Sequence, residues 1–284
     1  MTRRRLAALI GTPVEHSLSP LIHQAAFDAD GTEWNYAAFD VAVGRAADAI
    51  AAMRVLGIAG LSVTMPHKHD VAVAVDRLDP AAAALASVNT VSWDGDELVG
   101  SSTDGAGFVA ALVDDGIDIS GAHLAVLGAG GAARSVIDAL GRAGAASIRV
   151  INRTPDRAES AAALAPMAAV GRIGDIEKAD VVVNASSIGM GVDPASATPD
   201  DLPCDAGLLN PSQVVVDLVY HPLQTAWLIE AERVGARTFD GLGMLIHQAA
   251  LQQQAWLGRL GDVGAMRRAA EGALRKPRPD GGGR

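Results

Sequence analysis

Cysteine, lysine and aromatic residues are all scarce in this chain. A single Cys, Cys204, among 284 residues excludes an intramolecular disulfide and points to a reducing compartment, the cytoplasm. Aromatic residues make up 4%, so packing is expected to rest on Ala, Val, Leu and Ile. No apolar run approaches the roughly 20 residues of a membrane span. The apolar stretch Leu6–Ile10 that follows the basic start is too short for a signal-peptide core, and Pro13, Glu15 and His16 end it. Positive charge is short as well: 23 Lys+Arg face 33 Asp+Glu, a formal charge of −10 and a pI near 5.1. A chain of that sign is not built to follow a nucleic-acid backbone or an acidic membrane. An anionic small molecule would need a local site that overcomes the overall field.

What is present is apolar and periodic. Hydrophobic residues make up 49% and charged residues 20%, too apolar for a disordered chain, and the length suits one large or two modest domains. Short apolar runs predict strands at Leu6–Ile10, Trp34–Phe39 and Gly60–Val63, with helices near Pro20–Asp28 and Arg45–Leu56 between them. A second series of strands runs His123–Leu127, Ser147–Ile151, Val181–Asn184 and Val214–Leu218. Its helices are expected at Ala132–Arg142, Arg157–Leu164 and Thr225–Val234. Alternation of this kind implies βαβ units and mainly parallel sheets, hence two α/β domains in tandem with a junction on Gly105–Asp118. A long helical pattern from Met244 to Leu260 follows the last strand and is expected to return to the first domain. The Pro- and Gly-rich tail from Arg275 lacks apolar anchors and is expected to be disordered.

The segment HLAVLGAGGAARSVIDAL reads strand, glycine-rich turn, helix. Gly128, Gly130 and Ala133 fit G-x-G-x-x-G/A, in which the first Gly makes the turn, the second lets backbone approach a diphosphate, and a small third residue packs helix on strand. The amides that open the helix favour an anion without any formal positive charge. About 20 residues on, where an NAD site would carry Asp or Glu, stand Asn152, Arg153 and Thr154, with Arg157 a turn later. Arginine pairs with a 2′-phosphate that an acid would repel, so the cofactor expected is NADP(H). Arg134 either supports phosphates or lies on the helix surface.

After the first strand, GTPVEHSLSPLIHQAAF places Ser19 before Pro20, a pairing that suits N-cap and N1 of a helix. Ser17 and Ser19 at alternate positions make a neutral corner for a carboxylate, Ser17 needing the ligand more. His16 and His23 are read as structural hydrogen-bonders. Thr64 and Lys68 in VTMPHKHD fall just past a strand end, where α/β proteins bind ligands. Lys68 is one of three lysines in a chain with 20 arginines, so an ammonium able to exchange a proton is indicated there. His67 and His69 flank it without zinc spacing, and no metal site is expected. Asn89 and Asp104 lie on either side of a hairpin at Trp93–Leu98, turned at Asp94–Gly95. Either could also be a simple turn former. Tyr220 follows the last strand, and Gly241, Gly243, Met244 and Gln248 open the closing helix.

Taken in order, HSLSPLIH, VTMPHK, SVNTV, STDGAGF, GAGGAAR, NRTPDR, NASSIGM, DLVYHP and GMLIHQA resemble the shikimate dehydrogenase family, from Ile10 to Trp256. The resemblance implies NADPH-dependent reduction of 3-dehydroshikimate to shikimate, on the way to chorismate and the aromatic amino acids. It implies a substrate-binding α/β domain over 1–105, a Rossmann-type NADP-binding domain over 106–243 and a helical segment over 244–274, with the tail at 275–284. Carried over by motif, Ser17 and Ser19 would bind the substrate carboxylate, Thr64, Asn89, Tyr220 and Gln248 its hydroxyls, and Lys68 with Asp104 the reacting oxygen. Gly128, Ala129, Gly130, Gly131, Ala132, Asn152, Arg153, Thr154, Arg157, Leu218 and Gly241 would hold the cofactor, with Met244 near the nicotinamide. Ser87, Ser102, Ser186 and Gln254 depart from the family's commonest pattern; none removes a catalytic group, but they leave quinate/shikimate and aminoshikimate dehydrogenases as alternatives. A non-catalytic NADP(H)-binding regulator is the alternative of another class. The expected partner is a small molecule, with no nucleic acid or membrane, and the protein a monomer or homodimer.

Overall fold

The computed structural model describes residues Arg5–Arg275; the tail expected to be disordered lies, beyond Arg275, outside the described residues. In chain order the elements are β1 (Arg5–Gly11), α1 (Ser19–Ala29), β2 (Trp34–Asp40), α2 (Ala46–Leu56), β3 (Gly60–Val63), α3 (Lys68–Ala74), β4 (Arg77–Leu78), α4 (Pro80–Leu85), β5 (Thr90–Asp94) and β6 (Glu97–Ser101). They continue with α5 (Asp104–Asp114), β7 (His123–Leu127), α6 (Gly131–Arg142), β8 (Ser147–Ile151), α7 (Pro155–Ala162), β9 (Ala168–Val170), β10 (Val181–Asn184), β11 (Val214–Asp217), α8 (Ala226–Val234), β12 (Arg237–Phe239), α9 (Leu242–Leu257) and α10 (Val263–Leu274). The described residues divide into two compact units: one holds Arg5–Leu78, Ser87–Ser101 and Ala249–Arg275, the other Asp79–Ala86 and Ser102–Gln248. The segment Gly105–Asp118, read as the junction, mostly forms α5 within the second unit.

The first unit carries a mixed sheet in the order β2-β1-β3-β5-β6-β4. β1 runs parallel to both neighbours, whereas β5 runs antiparallel to β3 with Thr90 opposite Ser62. That reversal brings the start of β5 to the C-terminal end of β3. The hairpin closes on Asp94 and Glu97, so its two-residue loop is Gly95–Asp96, one position later than the sequence indicated. Gly95 takes φ +61°, as a tight hairpin turn of this length requires. The core here is mainly aliphatic, as expected, with Leu9, Ile10, Ile22, Ile50 and Leu61 buried. It includes one aromatic cluster, in which Phe27, Trp34 and Trp256 pack with Ala7 and Tyr36, and the His23 ring stacks on Tyr36 at 4.3 Å. Helix α9 stops at Leu257, short of the expected Leu260, because Gly258 turns left-handed (φ +74°) and a separate α10 follows.

The strands and helices read from the sequence recur in both units, in the first as β1, α1, β2, α2 and β3 and in the second from β7 onward. The second unit's sheet, β12-β11-β10-β7-β8-β9, is parallel throughout. Val and Ala runs buried on both faces suit such strands. Leu124, Val126, Val136, Ile137, Leu140, Ile148, Val150 and Val183 form its aliphatic core. Strand order reverses at β7, the topological switch point at which this architecture takes its ligands.

Candidate active site

In the first unit, topology gathers the proposed substrate residues at one sheet edge. Ser17 and Ser19 follow β1, Thr64 and Lys68 follow β3, and Asn89 precedes the reversed β5. Backbone bonds hold this edge: Thr64 N–H donates to the Ile10 carbonyl (2.9 Å), Val63 N–H to that of Asn89 (2.8 Å) and Val88 N–H to that of Lys68 (2.9 Å). The capping assignment is corrected. Ser19 lies inside α1 and caps nothing with its side chain. The Ser17 Oγ instead accepts from the Ser19 N–H at 3.2 Å, because the residue two positions earlier is the one whose hydroxyl faces back toward the helix start. Lys68 is half-buried as the first residue of α3. The Asn89 Oδ1 accepts from Thr90 Oγ1 at 2.7 Å. His67 is buried and bonds the Val41 carbonyl at 2.7 Å; His16 is exposed and its ring makes no hydrogen bond among the described residues, so the structural role read for it does not hold.

A buried polar chain backs this edge, and the sequence reading missed it. Tyr36 O–H donates to Ser62 Oγ (2.7 Å), and Ser62 O–H donates to Gln252 Oε1 (2.7 Å). Gln252 Oε1 also meets His23 Nε2 at 3.1 Å, while Gln253 Nε2 meets His23 Nδ1 at 3.2 Å. These bonds are all satisfied if Nε2 carries the single ring proton and Nδ1 accepts, so His23 is the structural hydrogen-bonder expected. Burial holds the His23 pKa down at about 3 and pushes the Tyr36 phenol well up. Gln252 Nε2 then donates to the Asn89 carbonyl at 3.1 Å, joining the chain to the ligand edge.

In the second unit, Asp104 opens α5 and is half-buried. Thr103 Oγ1 donates to the Gln248 carbonyl at 3.0 Å, and Gly107 lets α5 approach α9 so closely that a Cβ would lie 2.5 Å from the Gln248 nitrogen. Asp104 and Gln248 are thereby held in one neighbourhood. Gln248 Nε2 donates back to the Leu245 carbonyl at 2.9 Å.

The glycine turn follows β7. Gly128 has φ +115°, and a Cβ there would stand 2.9 Å from the Ala185 carbonyl oxygen, so only glycine fits. Gly130 and Gly131 differ: a Cβ on either would meet nothing within 4 Å, the space a diphosphate needs. Gly130, Gly131 and Ala132 are exposed, no side chain caps α6, and the buried Ala133 packs the helix on the sheet. The amides of that first turn are thus available to an anion. Gly128 N–H donates to the Ile151 carbonyl at 2.8 Å, which sets the turn beside Asn152–Arg157. Asn152 Nδ2 ties down the Thr154 carbonyl at 3.0 Å. Arg153 and Arg157 are exposed and pair with no acid among the described residues, so both guanidinium groups are available to a 2′-phosphate. Arg134 is engaged with Ser160, at 3.2 Å to the carbonyl and 3.1 Å to the hydroxyl, which favours its surface role. Ala129, Leu218, Tyr220 and Met244 are half-buried, and Gly241 presses so closely on the Leu218 carbonyl that any side chain would overlap it.

Comparison with known proteins agrees with this geometry. Residues 9–91 match the family described as Shikimate dehydrogenase substrate binding domain, 111–190 that described as Shikimate / quinate 5-dehydrogenase, and 241–271 the Shikimate 5'-dehydrogenase C-terminal domain. The Shikimate dehydrogenase (NADP(+)) of Moorella thermoacetica is 43% identical over 280 residues, covering 95% of this chain and 93% of the relative. The crystal structure of shikimate 5-dehydrogenase from Thermus thermophilus in complex with NADP(H) and shikimate superimposes with a TM-score of 0.87 at 37% identity, covering 95% of this chain and all of that one. A 5-ketofructose reductase of Gluconobacter sp. strain CHM43 also superimposes, with a TM-score of 0.86 at 32% identity over 96% of this chain and 100% of its own. The fold alone therefore does not name the ketone. The motifs, their placement on the two sheets and the full-length match with NADP-dependent relatives all lead to one assignment: the chain belongs to the shikimate dehydrogenase family.

Proposed function

We propose that this protein catalyses the reversible NADPH-dependent reduction of 3-dehydroshikimate to shikimate. It is an NADP-dependent oxidoreductase acting on a CH–OH group. The observation that supports the cofactor choice is the Gly128–Ile151 bond, since a diphosphate on the glycine turn would then leave the 2′-phosphate to the neighbouring Arg153 and Arg157. NADPH supplies the hydride when bound. Lys68 holds the proton at the ketone oxygen, stabilises the charge that develops there and delivers the proton to the alkoxide. In the reverse direction neutral Lys68 accepts the alcohol proton. Asp104, the second catalytic residue proposed, orients the adjoining hydroxyl of the substrate. Ser17 and Ser19 take the substrate carboxylate, and Thr64, Asn89, Tyr220 and Gln248 sort its hydroxyls. The buried thiol Cys204 suits a reducing cytoplasm, and the enzyme works as a monomer or homodimer.

The test is a panel of shikimate, quinate and an amino analogue, each with NADP+ and with NAD+, followed by NADPH or NADH absorbance. Shikimate with NADP+ is expected to give the highest kcat/KM. A quinate preference would shift the reading to the broader dehydrogenase, which the shikimate/quinate description of residues 111–190 favours as runner-up. Tight NADP+ binding without turnover of any substrate would leave the non-catalytic regulator.

A further inference from the structure

Strands β10 and β11 read VVVN and VVVD, so each apolar run ends on a polar residue, Asn184 and Asp217, and both are fully buried. The Asp217 carboxylate has no cationic partner among the described residues. Its Oδ1 accepts from Asn184 Nδ2 at 2.8 Å and from Val219 N–H at 3.0 Å, and its Oδ2 accepts from Thr225 Oγ1 at 2.8 Å. A buried carboxylate without a counter-charge disfavours folding relative to an apolar residue of the same shape. Its presence calls for a role that an apolar side chain could not fill.

The three donors supply one. Val219 and Thr225 lie near the two ends of the 218–225 loop, and Thr225 Oγ1 also accepts from Leu228 N–H (3.3 Å) at the start of α8. Asn184 holds the neighbouring loop: its Oδ1 accepts from Ser186 N–H (3.1 Å) and Ser186 Oγ (2.7 Å), and its Nδ2 also donates to the Ile188 carbonyl (3.2 Å). That loop begins at Ala185, against which Gly128 packs. The 218–225 loop in turn carries Leu218 and Tyr220, and its Val219 carbonyl accepts from Gly241 N–H at 3.1 Å. One carboxylate thus anchors the segments that bear Leu218, Tyr220 and Gly241.

We propose that Asp217 is a positioning residue for the reaction: with Asn184 and Thr225 it sets the loop that presents Leu218 and Tyr220 to their ligands. This rests on the roles proposed above for those two residues. The Gly128–Ala132 turn and the Arg153–Arg157 segment make no bond to Asp217, so NADP+ affinity, only part of which rests on Leu218 and Gly241, should fall much less than turnover.

The test uses the full-length protein with Asp217→Asn, Thr225→Val and Thr225→Ser. For each, kcat, shikimate KM, the NADP+ Kd by titration and the thermal midpoint are measured. Asp217→Asn keeps the volume but replaces one acceptor oxygen by a donor. It is expected to lower kcat at least tenfold and raise shikimate KM several-fold, with a smaller rise in the NADP+ Kd, the part carried by Leu218 and Gly241. Thr225→Val should follow it, and Thr225→Ser, which keeps the hydroxyl, should restore both constants. Wild-type kcat and KM in Asp217→Asn and Thr225→Val, whatever their thermal midpoints, would reduce Asp217 to a folding role and overturn the proposal. Should Asp217→Asn fail to fold, the two Thr225 variants decide in the same way. Absence of shikimate turnover by the wild-type protein would strike the proposed function instead.

Discussion

The two units present polar groups to their proposed ligands in different ways. The first threads a neutral chain of side chains past a cluster of aromatic rings, from Tyr36 through Ser62 and Gln252 to His23, and ends it on the backbone of Asn89. In the second, the backbone amides of the glycine turn, two exposed arginines and the buried Asp217 sit at the C-terminal end of the sheet. The contrast follows from what each is proposed to hold. A polyhydroxylated carboxylate demands several side chains of fixed direction, and fixed direction needs a supporting polar network. A dinucleotide diphosphate is met by amides that an ideal βα turn supplies without help. Neither solution requires a positive protein, so a net charge of −10 is compatible with two anionic ligands.

The sharpest break in the comparison is at Lys68, through which the first unit is proposed to supply a reacting group and not just a binding one. Lys68→Ala is expected to lower kcat by about 10²–10⁴-fold, the usual share of a general acid, while KM for shikimate changes little. Steady-state kinetics on both constants checks this; a KM effect with intact kcat would make Lys68 a binding residue only.

Next in size is the supporting network. Gln252→Leu removes the acceptor of Ser62 and His23 and the donor to Asn89 in one step. Buried groups left without partners should lower stability by about 2–4 kcal/mol, and shikimate KM should rise as Asn89 loosens. Chemical denaturation and kinetics together report it, and the NADP+ Kd should stay unchanged because the lesion lies in the other unit.

How legible each unit was follows from the same contrast. Strands His123–Leu127, Ser147–Ile151 and Val181–Asn184 coincide with the structure because a parallel sheet writes itself as short Val/Ala runs, and the glycine turn announces its own chemistry. Lys68 stood out because lysine is rare. The Tyr36–Ser62–Gln252–His23 network left no local trace: His23 and Gln252 are 229 residues apart, and no periodicity encodes such a contact. The Ser17–Ser19 capping was misassigned because spacing alone does not say which hydroxyl faces the helix start. Asp217 did leave a signal, the polar end of VVVD, which a strand-by-strand search for terminal polar residues would have caught.

Smaller in effect is the cofactor phosphate. Arg153→Ala combined with Arg157→Ala should raise KM for NADP+ about ten- to a hundredfold, since each loses a charge-assisted bond to phosphate, and leave NAD+ nearly untouched. The effect should shrink with added salt because both guanidinium groups are exposed. Equal losses for both cofactors would remove the 2′-phosphate assignment.

The finest test sets the buried titratable groups of the two units against each other. Burial lowers the folded pKa of His23 to about 3 from 6.5, so between those values the unfolded chain binds a proton that the folded chain refuses. Acidification from pH 7 to pH 5 should therefore cost about 2 kcal/mol through His23. Asp217 behaves oppositely. Desolvation, reinforced by Asp240 and only partly offset by its three donors, raises it to about 6 from 3.8, so its stabilising contribution is full below pH 3.8 and fades as pH rises through 6. The same acidification should return about 1 kcal/mol through Asp217. Wild-type stability is thus expected to fall slightly from pH 7 to pH 5. Asp217→Asn should fall more steeply, and His23→Gln should flatten or reverse the slope. Denaturation curves at the two pH values read the differences directly. Parallel slopes in all three proteins would mean that neither burial moves its group as the structure indicates, and the opposition between the two units would not extend to their protons.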